Sequence, residues 1–298
     1  MIRVLGSINI DITMKGARLP GPGETVPATH HFLAPGGKGA NQALAAARAG
    51  VRVAMAGAVG RDSHADLALA NLHQAGIDLE AVARLDEPTG AALIMVAEDG
   101  ENAIMVHPGA NGRVDALLAR AACIGLGPHD VLLLQQEIPR AAVAEAIAAA
   151  RSAGARSILN IAPLKDWTEQ VAAEADIVIG NEHELAGLAR AIGAPDDSPE
   201  TLAARLGRIV VATLGPRGAL ACAPGQPPVS APAPVVEAID TVGAGDAFCG
   251  YFAAALAEGA PLPDALGLGV AAGSLTCTRP GAQAAIPARA DVDRLCSA

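Results

Sequence analysis

Four short apolar runs, at Val131–Leu134, 157–159, 177–179 and 209–212, constrain the fold more than any other feature of the chain. Stretches with helical periodicity lie between them, among them 141–153 and 183–192. A strand with one wet face alternates apolar and polar residues, whereas a strand covered on both faces does not. Short unalternated strands separated by helices therefore predict a parallel sheet between two helical layers. Upstream, 3–8 and 51–58 read as further strands, with helices at 40–49 and 63–75 that stop at Gly50 and Gly76. The expected class is α/β, with a mostly parallel central sheet and helices on both faces.

Two segments break this rhythm. Residues 11–35 are rich in Pro, Gly and Thr, and 88–107 reads as two strands, 91–97 and 103–107, joined by a turn. They are read together as one small β-rich flap, although ordinary surface hairpins fit the periodicity equally well. The domain expectation is then an α/β core of 1–10, 36–87 and 108–298, with a β-sheet lid made of 11–35 and 88–107. The stretch 223–234 holds five prolines and reads as a rigid loop or a turn between edge strands.

Composition narrows the function classes. A net charge of −10 argues against binding duplex DNA or an anionic membrane, and 2% aromatic residues argue against stacking on single-stranded bases. No run approaches the roughly 18 apolar residues of a membrane span. The chain opens on what reads as a strand, without the basic segment, apolar run and cleavage site of a secretory signal. The five cysteines are scattered with no CxxC, as in a reduced cytoplasmic protein. Neither nucleic acid nor membrane is expected as a partner.

Each predicted strand delivers polar residues at the same end: Glu137 after the first run, Asn160 after the second, Asn181 and Glu184 after the third, Thr213-Leu214-Gly215 after the fourth. A single such residue is usually a helix cap, but four in succession favour a ligand-binding edge. Two glycine clusters add to this. Gly36-Gly37-Lys38-Gly39-Ala40-Asn41 opens a helix and could let the backbone approach a ligand; it reads equally as a glycine-rich turn, and it is not a phosphate-binding loop of the Walker type. Asp240-Thr241-Val242-Gly243-Ala244-Gly245-Asp246 also precedes a helix, predicted over 246–258. The amides of Gly243, Ala244 and Gly245 would form an anion nest, with Asp246 at its mouth. Asp246 is either a helix N-cap or a base placed to take a proton from an attacking hydroxyl. A dinucleotide fingerprint fails because Phe248 stands where its third glycine belongs.

In content and order these motifs resemble the ribokinase branch of the PfkB carbohydrate kinase family, over nearly the whole chain. Gly6-Ser7-Ile8-Asn9-Ile10-Asp11 is similar to its opening strand, Gly36–Asn41 and Asp240–Asp246 to its two signatures, Asn181 with Glu184 to its N-x-x-E motif, and Thr213-Leu214-Gly215-Pro216-Arg217-Gly218 to its nucleotide loop. The resemblance implies a Rossmann-like ribokinase fold with a small β lid, and ATP-dependent phosphorylation of the 5-hydroxyl of D-ribose. Another furanose or a nucleoside is the alternative substrate, and a non-catalytic sugar-binding protein on the same fold the alternative class. It implies that Asn9, Asp11, Gly37, Lys38, Gly39, Asn41, Glu137 and Asp246 hold the sugar, and that Asp246 is the base beside the Gly243–Gly245 anion hole. Asn181, Thr213, Leu214, Gly215, Pro216, Arg217, Gly218 and Gly245 would touch ATP. Asn181 and Glu184 would order water around Mg²⁺, and Asp240, Val242, Thr276, Arg279, Gly281 and Ala285 would surround an activating K⁺. It also implies a homodimer formed through the lid. The chain departs from the family pattern at Tyr251, at Val270 and at Asn160-Ile161-Ala162-Pro163.

Overall fold

The computed structural model describes residues 1–297. In chain order the elements are β1 (Ile2–Leu5), β2 (Asn9–Gly16), β3 (Ala28–Gly36), α1 (Lys38–Arg48), β4 (Val53–Gly60), α2 (Ser63–Gln74), β5 (Asp78–Leu85), β6 (Gly90–Ala97), β7 (Asn102–His107), α3 (Ala116–Ala122), β8 (Val131–Leu134), α4 (Arg140–Ala153), β9 (Arg156–Asn160), α5 (Thr168–Ala172), β10 (Ile177–Asn181), α6 (Glu182–Ala191), α7 (Pro199–Leu206), β11 (Ile209–Thr213), β12 (Ala219–Cys222), β13 (Val229–Ala231), α8 (Ala244–Ala257), α9 (Leu262–Thr276), α10 (Ala282–Ala285) and α11 (Arg289–Cys296).

Nine strands form one sheet in the order β13-β12-β11-β10-β9-β8-β1-β4-β5, parallel from β11 to β5 and closed at the other edge by two antiparallel strands. The apolar runs are unalternated because both faces are covered. On β8, Val131 and Leu133 enter one core layer, with α1, α8 and α9, while Leu132 and Leu134 enter the other, with α3, α4 and α6. Strand order reverses between β1 and β8, which is where open α/β sheets bind ligands at the carboxyl ends of their strands.

The remaining four strands form a separate sheet, β3-β2-β6-β7, in which β2 and β6 run parallel. Its outer strands expose Phe32, Leu33, Ile104, Met105 and Val106. Residues 3–8 are not one strand: β1 ends at Leu5 because the chain then passes against the start of α1, where Ala40 N donates to Ser7 O at 2.9 Å. The edge strand β5 was not expected. Its half-buried pattern, with Asp78, Glu80 and Arg84 set among apolar residues, is weaker than the buried apolar runs that mark the inner strands. The proline-rich stretch contains the short edge strand β13, which pairs only with β12, as suits a segment flanked by residues without an amide proton. Among the described residues no helix is long and apolar enough to cross a membrane.

Candidate active site

The first glycine cluster is required by the fold itself. Gly37 has φ of 87°, and a Cβ on it would lie 2.8 Å from Asn9 N. A Cβ on Gly39 would lie 2.6 Å from Ser7 N. These glycines let the start of α1 press against the chain leaving β1, so the close approach is first of all to the protein's own backbone. The contact brings three distant segments to one place. Glu137, beyond β8, accepts from Ser7 Oγ at 2.6 Å and from Lys38 N at 3.1 Å. Asn9 Oδ1 accepts from Asn111 Nδ2 at 2.7 Å. Asp11 lies over Gly36, whose added Cβ would fall 2.4 Å from its carboxylate.

Asp246 lies across from this group, in the first turn of α8, and is 7% exposed. It is not the N-cap. Gly243 takes that position with φ of 79°, so the helix starts two residues earlier than the sequence suggests. The Asp246 carboxylate is held by side chains instead: Asn41 Nδ2 donates to Oδ2 and Gln42 Nε2 to Oδ1, both at 2.9 Å. Gln42 Oε1 in turn accepts from Gln135 Nε2 at 2.7 Å. Asn41 Oδ1 is buried with no protein partner, an acceptor left for a ligand.

Burial raises the pKa of Asp246, with Lys38 and the two amides opposing. Asp11 is pushed up to about 6 by burial and by the Glu137 and Asp246 charges, against Lys38. Burial pulls Lys38 down, but the carboxylates of Asp246, Glu137 and Glu184 outweigh it and the ammonium is held more firmly protonated. The Lys38 amide joins the group around Glu137, and Lys38 also lines a cavity of about 210 Å³ together with Asp246, Gly243, Gly245, Asn181 and Glu184. At the helix start beside it the Ala244 amide turns back to Thr241 O at 3.3 Å, leaving Gly243 and Gly245, of the expected three, as the amides without an acceptor among the described residues.

A second cavity of about 600 Å³ adjoins the first, sharing Asn181, Thr213, Thr241 and Gly245. Of the expected nucleotide loop, Gly215, Pro216 and Gly218 line it, whereas Leu214 packs into the apolar layer and Arg217 pairs with Glu182 at the surface. Most of its wall was not foreseen, including Ala233, Pro234, Val236, Phe248 and Ser274. Val270, noted as a departure, lines it as one apolar residue among several. Tyr251 is buried behind the nest and donates to Pro287 O at 2.9 Å, so this departure is fully accommodated.

Asn181 and Glu184 bond each other reciprocally as a capping box at 2.9 Å, which leaves one Glu184 oxygen on the smaller cavity; that hard oxygen fits water-mediated Mg²⁺. Asp240 joins two loops, accepting from Val242 N at 3.0 Å and from Gly281 N at 2.8 Å. Thr276 is buried with its hydroxyl on Ala272 O, Ala285 is buried, and Arg279 is exposed. The Asp240 carboxylate, set between the two loops, is the hard oxygen group here that suits a monovalent cation. Ser7, Gln42, Gln135 and Asn111 escaped the sequence reading. The sequence hints at Gln42 alone, as a polar residue among the alanines that open α1; its complete burial is seen only in the structure.

The model of the pfkB family of carbohydrate kinases matches residues 1–289. Ribokinase of Schizosaccharomyces pombe is 35% identical over 98% of this chain and 96% of its own. The crystal structure of ribokinase from Thermotoga maritima superposes with a TM-score of 0.89 at 33% identity, covering 100% of this chain and 99% of that one. Arabidopsis thaliana ribokinase complexed with ribose and ATP gives 0.86 at 32% identity, over 99% and 97%.

Proposed function

The chain belongs to the pfkB family of carbohydrate kinases and is an ATP-dependent sugar kinase, and from that premise we propose that its substrate is D-ribose, phosphorylated at the 5-hydroxyl. The observation that carries the reading is the Asp246 carboxylate. It stands between a cluster of polar groups and a helix N-terminus, held by two amide donors and facing the cavity that leads to the larger apolar one.

In this reading Asn9, Asp11, Gly37, Gly39, Asn41 and Glu137 hold the sugar hydroxyls. The 5-oxygen attacks the γ-phosphorus of ATP, its proton passes to Asp246, and the bond to the ADP oxygen breaks. Lys38 and the amides of Gly243 and Gly245 face the charge on the transferred group, so most of the catalysis is positioning and electrostatics. The larger cavity takes the nucleoside of ATP, with Asn181, Thr213 and the 215–218 turn along it. Mg²⁺ would be held near Glu184 and Asn181 through water, where it neutralises phosphate charge. K⁺ would lie by Asp240, Val242, Thr276, Arg279, Gly281 and Ala285 and order the nest.

The four-stranded sheet is proposed as the lid of the sugar site, comprising 11–35 and 88–107. Its exposed Phe32, Ile104, Met105 and Val106 support a homodimer formed there. Free thiols at all five cysteines fit a reducing cytoplasm.

An ADP-release assay across ribose, deoxyribose, fructose and nucleosides tests the proposal. The highest kcat/KM is expected with ribose, and the product should be ribose 5-phosphate. A better nucleoside or fructose substrate would overturn it.

A further inference from the structure

The sugar side of the site rests on a buried amide that belongs to neither glycine cluster. Asn111 lies in the 3-10 turn Gly109–Arg113, just after β7, and is 1% exposed. Its Oδ1 accepts from Ile8 N at 2.9 Å, and its Nδ2 donates to Ile8 O at 3.1 Å and to Asn9 Oδ1 at 2.7 Å. A backbone N–H only donates and a backbone carbonyl only accepts, so the two bonds to Ile8 fix which end of the Asn111 amide is which. The third bond then fixes Asn9: its oxygen turns toward Asn111 and its NH₂ turns away.

Gly90 closes over this pair. A Cβ there would lie 2.2 Å from Asn111 Nδ2 and 2.3 Å from Asn9 Oδ1. Asn9 opens β2 and Gly90 opens β6, and the two residues are partners in the parallel register. The amide pair therefore sits where both central strands of the smaller sheet begin.

We propose that Asn111 is a positioning residue for sugar recognition: it holds Asn9 Oδ1 so that Asn9 meets the sugar as a hydrogen-bond donor through Nδ2, and it anchors that donor to both strands that carry the smaller sheet. The proposal rests on the assignment of Asn9 to the sugar. Its chemical consequence is that the sugar must offer an accepting oxygen to Asn9. A carboxylate at position 9 would keep the bond to Asn111 but lose its donor, so it could meet the sugar only through a hydroxyl whose proton is not already given to another acceptor.

The test compares Asn9→Ala, Asn9→Asp, Asn111→Ala and the Asn9→Ala/Asn111→Ala double variant, reading ribose KM, ATP KM, kcat and Tm. The assays run at pH 8, well above the value of about 6 to which neighbouring Asp11 is pushed. Asn9→Ala and Asn9→Asp should raise ribose KM by a similar factor, about tenfold, as for loss of one well-placed hydrogen bond. Asn111→Ala should raise ribose KM several-fold while ATP KM stays flat, and the double variant should be no worse than the worse single one.

Wild-type ribose KM in Asn9→Asp would mean that sugar binding does not depend on a donor at position 9, and the proposal falls. It also falls if the two alanine changes add, or if ribose and ATP KM rise together. Should Asn111→Ala fail to fold, Asn9→Asp decides alone, because there the Asn111 donor keeps its partner. An unchanged ribose KM in Asn9→Ala would instead remove Asn9 from the sugar site, and this proposal with it.

Discussion

The two halves of the active-site trough grip in opposite ways. The half assigned to the sugar is built from Asn9, Asp11, Asn41, Glu137 and Asp246. Several of these are already bonded to Ser7, Gln42 or Asn111 and their neighbours before any ligand enters. The half assigned to the nucleotide is a wider slot of about 600 Å³ walled largely by apolar groups such as Pro234, Val236, Phe248 and Val270. A site of convergent polar groups rejects a ligand lacking one hydroxyl, because its own groups are then left buried and unpaired. An apolar slot holds by area and tolerates small changes. Selectivity should therefore belong to the sugar half, and the nucleotide half should be the forgiving one.

Asp246 stands where the halves meet, so its loss should break the chemistry without favouring either half. Asp246→Asn should lower kcat by about 10²–10⁴, the usual contribution of a general base, with ribose and ATP KM changing little. The single acceptor oxygen of the asparagine can satisfy only one of Asn41 and Gln42, so a modest drop in Tm is expected as well. A kcat at the wild-type level under saturating substrates would remove Asp246 as the base.

Asp11 belongs to one half only. Asp11→Ala should weaken ribose binding by about 1.5–3 kcal/mol, or roughly 10- to 150-fold in KM if a charged hydrogen bond is lost. ATP KM should not follow. If Asp11 merely shaped the turn into the smaller sheet, Tm would fall and ribose KM would stay put, so measuring all three separates the two roles.

The Asp240 loops belong to neither half, yet they hold the nest at which the halves join. Replacing K⁺ by Na⁺ should lower kcat severalfold at matched ionic strength, because oxygen cages choose cations by size and coordination. Equal rates in K⁺, Na⁺ and choline salts would argue that Asp240 alone orders the loops. Weaker still is the effect expected in the slot. Val236→Ala should raise ATP KM by roughly two- to fivefold, from the apolar area removed at a half-buried position, and leave ribose KM alone. A ribose effect from Val236→Ala would show that the halves are coupled rather than separate.

What could be read in the sequence follows the same division. The inner strands were legible because burial on both faces writes an unalternated apolar run, and the smaller sheet because its segments lack helical period. Strand β5 was not, since a half-covered edge strand with Asp78, Glu80 and Arg84 carries a weaker pattern. The glycine clusters were legible as contiguous motifs. The groups that aim their neighbours were not: Gln42 meets Asp246 across 204 positions, Gln135 meets Gln42 across 93, and Asn111 meets Asn9 across 102. No local spacing can signal such contacts, because they exist only once the strand ends are brought to one edge. The apolar wall of the slot was missed for a related reason. Pro234 ends the proline-rich stretch and Val236 follows it, and both gain a role only by lining the slot with Phe248 of α8 and Val270 of α9.

The smallest effect tests the cost of building a site from charge. Asp11 is pushed from 3.8 up to about 6 by burial and by the Glu137 and Asp246 carboxylates. A carboxyl whose folded value is raised favours the folded state fully below its unfolded value and loses that contribution as pH rises through the folded one. In the pH range above about 6, then, the ionised Asp11 works against the fold while serving the sugar. Asp11→Asn, which keeps the shape and removes the charge, should raise the Tm of the ligand-free protein by roughly 2–4 °C at pH 7.5, the shift expected for about 1 kcal/mol in a chain of this size. The gain should shrink as pH is lowered through 6 and vanish near pH 4, where the wild-type carboxyl is itself neutral. In the same variant ribose should bind more weakly at pH 7.5, and the wild-type enzyme should lose ribose affinity below pH 6 while ATP KM stays level. A Tm unchanged at pH 7.5, or a gain that persists undiminished at pH 4, would mean that Asp11 is not held against its own charge. The polar half would then be no more strained than the apolar one.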